Sequence, residues 1–250
     1  MVFQINITEF PKCKGYIIFL IIFFGFLWNT NSFGYSDKSR MKTIPEGCFM
    51  MGSNDGHDDE KPSHKVCLTT YLIDAYEVTQ NEFINKMNYN PSHFKGENLP
   101  VEGVTWKESK KYCSINGKRL PTEAEFEYAS RAGSQTKYPW GNKIGINNAN
   151  CIGCGSLWGG TKTAPVGSFH PNAWGLYDMI GNVWEWVYDW YDSKYPNKAI
   201  QNNPTGPDGG TEKVFRSSSW YYLPEYSSVS SRNSYYPNKP FLGVGFRCVK

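Results

Sequence analysis

The run Gly175-Leu-Tyr-Asp-Met-Ile-Gly-Asn-Val-Trp-Glu-Trp-Val-Tyr-Asp-Trp190 packs three tryptophans, two glycines and three carboxylates into one short span. A plain helix or strand has little use for that mixture. Glycines let the backbone turn or approach another group closely, indoles bury large apolar areas, and Asp178 and Glu185 offer hard oxygen ligands around a bend. Carboxylates joined to backbone carbonyls are what a calcium cage requires. The same residue types also build a tight loop with solvated acids beside an aromatic core.

At 250 residues with 40% apolar content, the chain is long enough to bury one substantial core. Nine tryptophans, seventeen tyrosines, twenty-four glycines and fifteen prolines predict many loops locked by aromatic packing rather than a helical bundle. A net charge of +3 gives no argument for nucleic acid. Lys12 and Lys14 precede an apolar run from Tyr16 to Trp28, followed by small and polar residues. That order reads as a signal peptide over residues 1–34, too short for a stable membrane span and pointing to a secreted or periplasmic protein.

Without Cys13, six cysteines remain, an even number suited to disulfides in an oxidising compartment. Six cysteines allow fifteen pairings. Cys151 and Cys154 fit a local disulfide, a redox pair or half of a zinc site, the last lacking a second C-x-x-C or a suitably spaced histidine.

Apolar alternation before and after residues 54–64 predicts strands flanking a hydrophilic insert. The insert carries His57, His64 and several acids, but no spacing in it recurs at a metal-ligand interval, so it reads as a solvated loop. Thr79 with Glu82, Thr105 with Glu108, and Thr122 with Glu125 each fit a capping box, predicting three short helices. Val78 and Phe83 suit a hydrophobic staple on the first, and Gly117 and Gly133 suit the stops of the other two.

The opening run is similar to the GLYDM-GNVWEW signature of the formylglycine-generating enzyme family, the sulfatase-modifying factors. Gly117-Lys-Arg-Leu-Pro-Thr-Glu-Ala-Glu-Phe-Glu-Tyr-Ala resembles the family's GKRLPTEAEWEYA block, with Phe126 in place of tryptophan. Tyr138-Pro-Trp-Gly-Asn142 and Gly245-Phe-Arg-Cys-Val249 match further blocks in order. The resemblance implies a single domain over residues 41–250 with an α+β, C-type-lectin-like fold, loop-rich and poor in regular structure. It also implies calcium held by the side chains of Asp178 and Glu185 and the carbonyls of Gly181 and Val183, and a disulfide between Cys113 and Cys248. A second calcium position, at Asn150, Cys151 and Thr161, is expected to be weak, because Gly159 stands about where the family has an aspartate and affinity follows ligand charge.

The family's oxidases bind copper(I) through two cysteines just after a Gly-Gly-Ser-aromatic motif. The corresponding segment, Arg216-Ser-Ser-Ser-Trp-Tyr-Tyr-Leu-Pro-Glu-Tyr-Ser-Ser-Val-Ser-Ser-Arg232, has none, and Tyr222 stands near the first cysteine position. Copper is therefore not expected, since copper(I) prefers soft thiolates. Ser217 and Ser218 replace the glycines. The leading expectation is an exported, divergent oxidative maturation factor working without the copper dithiol. The alternative is a non-catalytic module binding a protein, peptide or glycan, with a candidate groove at Trp220, Tyr222 and Arg232. An active oxidase using Cys151 and Cys154 is a third reading.

Overall fold

Each predicted capping box opens a helix in the computed structural model, which describes residues 40–194 and 202–250. All of these fall in one compact unit, Ser36–Lys250; the expected signal peptide, residues 1–34, lies outside them. Helix α1 (Gln80–Met87), α2 (Trp106–Ile115) and α3 (Glu123–Arg131) start at Thr79, Thr105 and Thr122, and all three boxes are reciprocal. In each, the threonine oxygen accepts the third helical N–H while that residue's glutamate accepts the threonine N–H, satisfying two donors the helix leaves open. Asn88 and Ala132 end α1 and α3 in the left-handed conformation. Gly117 and Gly133 follow the caps of α2 and α3 at φ of +66° and +88°.

Strands β1 (Met41–Ile44) and β4 (Tyr71–Asp74) pair antiparallel, as do β2 (Gly47–Met51) and β3 (His64–Leu68). Between β2 and β3 the insert is a loop with one 3-10 turn, Asp58–Glu60. Cys48 and Cys67 face each other directly across β2 and β3 and are bridged. A four-stranded sheet runs in the order β7 (Arg232–Tyr235), β6 (Lys213–Arg216), β5 (Trp184–Trp190), β8 (Val244–Gly245), with β8 parallel to β5. The last residues run beside β4, where Leu72 and Lys250 exchange both backbone hydrogen bonds at 2.8 Å. The expected Cys113–Cys248 disulfide ties α2 to this tail.

One apolar cluster fills the space among the β1–β4 strands, α3 and Val187 of β5. A second joins α1 and α2 to the four-stranded sheet, and both halves of the predicted staple, Val78 and Phe83, lie in it. Trp184, Trp186, Phe215 and Phe246 are fully buried there, each contributing on the order of 2–3 kcal/mol by leaving water. Helix α3 departs from the amphipathic pattern. Every one of its residues is buried, including Glu123, Glu125, Glu127 and Arg131, so the helix runs through the protein as a charged rod.

Candidate functional site

The backbone between Leu176 and β5 does bend sharply: Asp178, Gly181 and Asn182 have φ of +56°, +82° and +62°. Gly181 is required here, because a Cβ would stand 2.6 Å from the Asn150 carbonyl oxygen. Asn182 locks the bend: its N–H donates to the Asn150 carbonyl at 2.9 Å, and its Oδ1 accepts from Ala164 N at 2.8 Å. Its amide nitrogen donates to Glu77 Oε2 at 2.6 Å, and Val183 N donates to Glu77 Oε1 at 3.2 Å.

Glu77, Asp178 and Glu185 are thereby buried around the bend with Arg247 as their cation. Arg247 bonds both Glu185 oxygens, its Nη2 reaching Oε1 at 2.7 Å and its Nε reaching Oε2 at 2.8 Å. One Asp178 oxygen accepts from Gly167 N at 2.7 Å, and the other, Oδ1, is buried without a partner. Burial pushes the Asp178 carboxyl up to about 6, against the Gly167 N–H and Arg247. Burial, then the charges of Asp178 and Glu185, holds Glu77 well above the usual range. Burial also raises Glu185, with Arg247 opposing it.

Of the four expected calcium ligands, Asp178 thus has an oxygen ready for an ion. Glu185 already carries Arg247, and the Gly181 carbonyl accepts the Ser217 hydroxyl at 3.3 Å. An excess of buried carboxylate with one orphaned oxygen fits a cation, which would have to share Glu185 with the guanidinium. No group of three His, Cys, Asp or Glu side chains suited to a metal occurs among the described residues; a cage built partly of carbonyls is not of that kind. At the other expected calcium position, Asn150 Oδ1 accepts from Ser156 at 3.0 Å, and the exposed Thr161 hydroxyl donates to the Trp158 carbonyl at 2.7 Å. A side chain at Gly159 would lie 2.2 Å from the Cys151 carbonyl oxygen, and Cys151 is bridged to Cys154, a bond that the local-disulfide and redox-pair readings share.

Arg216 and Arg232 are cross-strand partners at the base of the segment that joins β6 to β7. Both hold Glu123 of α3: Arg216 Nη1 at 2.7 Å, Arg232 through Nε and Nη2 at 2.8 Å each. Arg216 also reaches Glu127, which pairs in turn with Arg131, both at 2.7 Å. Burial alone would raise Glu123; Arg232 and Arg216 hold it below the ordinary range instead. Arg232 is therefore committed to the interior, and the structure does not bring it to Trp220 and Tyr222.

Those two residues stand in a different assembly. Rings follow one another from His93 and Phe94 through Trp220, Tyr221 and Tyr222 to Tyr226 and His57, each centroid 4.8 to 6.4 Å from the next. Tyr226 is exposed and Trp220, Tyr221 and Tyr222 are half-buried, so the rings form a ledge at the surface. Beneath it the serines bond to one another, Ser218 to Ser227 at 2.7 Å and Ser228 to Ser231 at 2.9 Å. The six cysteines among the described residues all lie in disulfides, so none of them offers a free thiol to this region.

Glu77, Glu123 and Glu127 were not singled out from sequence. The available signal was weak: Glu77 sits between Tyr76 and Val78 at the end of an apolar strand pattern, an expensive place for an unpaired carboxylate.

A family model described as the sulfatase-modifying factor enzyme 1-like domain matches residues 31–250. Serine/threonine-protein kinase pkn1 of Chlamydia caviae is 33% identical over 244 residues, which is 85% of this chain and 38% of that protein, so the chain spans well under half of that relative's length. The formylglycine-generating enzyme of Bos taurus is 30% identical over 288 residues, covering 86% of this chain and 75% of the enzyme. Among solved structures, Treponema denticola variable protein 1 matches with a TM-score of 0.75 at 28% identity, covering 84% of this chain and 94% of that one.

Proposed function

Because the chain belongs to the sulfatase-modifying factor family and has its C-type-lectin-like α+β fold, we propose that it is an exported, non-catalytic binding member. The aromatic ledge over residues 220–226 receives an extended peptide segment of a partner protein. The observation that carries this reading is the make-up of the segment from Arg216 to Arg232: tyrosine and serine stand where a copper(I) dithiol needs thiolates. Tyrosine supplies large, stiff, amphipathic contact at small entropic cost, and serine supplies adaptable hydrogen bonds, the pairing that binding loops favour. Three disulfides support export to an oxidising compartment.

Calcium belongs to the same proposal as a structural ion, with Asp178 Oδ1 as its free ligand and the Gly181 and Val183 carbonyls and Glu185 completing the set. When bound it neutralises carboxylate charge and fixes the bend from which β5 departs; the chain's own Arg247 and Glu77 hold that bend from the other side.

The test is direct. The purified full chain is incubated with copper(I), oxygen and a Cys-x-Pro-x-Arg peptide, and separately panned against a displayed random-peptide library. No aldehyde forms at the peptide cysteine, and selected peptides lose at least tenfold in affinity for the Tyr221→Ala/Tyr222→Ala double variant. Aldehyde formation overturns the non-catalytic reading, and undiminished binding to the double variant overturns the ledge.

A further inference from the structure

A cleft of about 830 Å³ is walled by the insert between β2 and β3, by the loop after α3 and by residues 225–230. Trp220, Tyr221 and Tyr222 do not line it, so it is separate from the ledge, although His57 borders both. Three aromatic side chains stand together in its wall: Phe49 lies 5.1 Å from Tyr128, and Tyr128 lies 4.9 Å from Trp174, centroid to centroid. Trp174 is half-buried and gives the cleft an accessible flat face.

Glu60 also lines the cleft. It is 3% exposed, and its Oε2 is buried with no hydrogen-bond partner. A buried acceptor of that kind normally has a donor. Glu60 and Arg216 share the wall of a small adjoining void of about 20 Å³, and Arg216 Nε is likewise without a partner. One water fits such a void and meets one lone pair, and a carboxylate has further acceptor capacity beyond that.

Charge decides what kind of donor is missing. Three buried guanidinium groups, on Arg131, Arg216 and Arg232, face three buried carboxylates, on Glu60, Glu123 and Glu127. This buried set is balanced, and the other charged residues of the cleft, Asp55, Lys137 and Glu225, are exposed to water, so the ligand has no buried charge to neutralise. What the walls lack is hydrogen-bond donors for Glu60 and acceptors for amides: Asn54 and Asn142 accept Ser63 N at 2.9 Å and Lys137 N at 3.1 Å through Oδ1, which leaves their NH₂ groups as donors. A neutral ligand with many hydroxyls and an apolar ring face meets all three conditions, and the cleft is of the size that small ligands occupy.

We propose that this cleft binds a neutral oligosaccharide, one sugar ring against Trp174 and a hydroxyl donating to Glu60. The site stands independently of the peptide reading of the ledge. Saturation-transfer NMR on the full chain with cellotriose, maltotriose and N-acetylchitotriose tests it. At least one sugar shows transfer to its ring protons with the wild-type protein. That signal falls at least fivefold with Glu60→Gln and with Trp174→Ala, and persists with Tyr222→Ala; melting curves establish that each variant is folded. If Glu60→Gln does not fold, Asn54→Ala takes its place with the same expected loss. No transfer from any of the three sugars, or transfer that survives both cleft substitutions, overturns the proposal. So does an arginine-rich peptide that binds in a Glu60-dependent way while the sugars do not, because the cleft is then a cation site.

Discussion

Two buried charge clusters meet at Ser217, and they reach electrical balance by different routes. Around α3, Arg216 and Arg232 close on Glu123, and Arg216 and Arg131 close on Glu127. Around the bend, Glu77, Asp178 and Glu185 share Arg247, and Asp178 Oδ1 has no partner. In the first cluster both glutamates are paired with guanidinium groups of the chain itself. The second has more carboxylate than cation, and it must take up a proton or a metal ion. The difference separates a group that fixes the fold from one that can respond to its surroundings. Ser217 joins them, following Arg216 in sequence and donating to the Gly181 carbonyl.

The largest effect is expected in the closed cluster. Arg216→Met leaves two carboxylates buried without their shared cation, and breaking a buried pair in that way costs roughly 3–5 kcal/mol. In a chain of this size that lowers Tm by roughly 6–20 °C, readable by circular dichroism. A variant melting with the wild type would show that this cluster, too, is open to solvent or ions.

Calcium probes the other side. At about a hundredfold excess over its Kd, an ion binding only the folded state adds roughly 2.7 kcal/mol. Thermal melts in calcium and in chelator differ accordingly, and Asp178→Asn removes the difference. Identical melts of the wild type in the two buffers would leave Arg247 and protons as the only compensation.

Protons are the third probe. Asp178 has a folded-state value of about 6, above its ordinary one, so the folded protein holds a proton that the unfolded chain has released between about pH 4 and 6. Its contribution is therefore greatest near pH 4 and falls as pH rises through 6, by on the order of 1–3 kcal/mol. Other carboxylates such as Glu123 act in the opposite sense, so the quantity to measure is the stability of wild type minus Asp178→Asn, by urea unfolding in chelator. A difference that grows more favourable with rising pH would contradict the assignment.

The smallest effect tests the junction. Ser217 has a φ of +86°, in the left-handed region, where a residue with a side chain is strained by about 1–2 kcal/mol. Ser217→Gly relieves that strain and loses the bond to Gly181, for a net gain of about 0.5–1 kcal/mol. A loss of stability would show that the hydroxyl link matters more than the strain.

The helices were legible because a capping box is complete within four residues, and the bend because Gly181 and its neighbours signal it locally. Cys48–Cys67 and the charged interior were not. Glu123, Glu127 and Arg131 have the spacing of surface pairs, so nothing local signals that helix α3 is buried. What buries them is a pair of arginines some ninety and more residues further along the chain, and their meeting depends on the register of β6 with β7. Arg232 was misleading for the same reason: beside so many tyrosines it suggested a groove, and its partner lies in a helix that local pattern cannot connect to it. Trp220 and Tyr222 do share a surface, because adjacency in sequence was enough to bring them together.

The cross-strand pairing of Arg216 with Arg232 has a consequence for engineering. Both stems of the excursion are riveted to one carboxylate, so the ends stay in place whatever lies at the tip. The exposed side chains at the tip, Leu223, Glu225 and Tyr226, can then be exchanged while the rivets, the serine layer and the sheet beneath stay constant, turning the domain into a mounting platform for altered recognition surfaces.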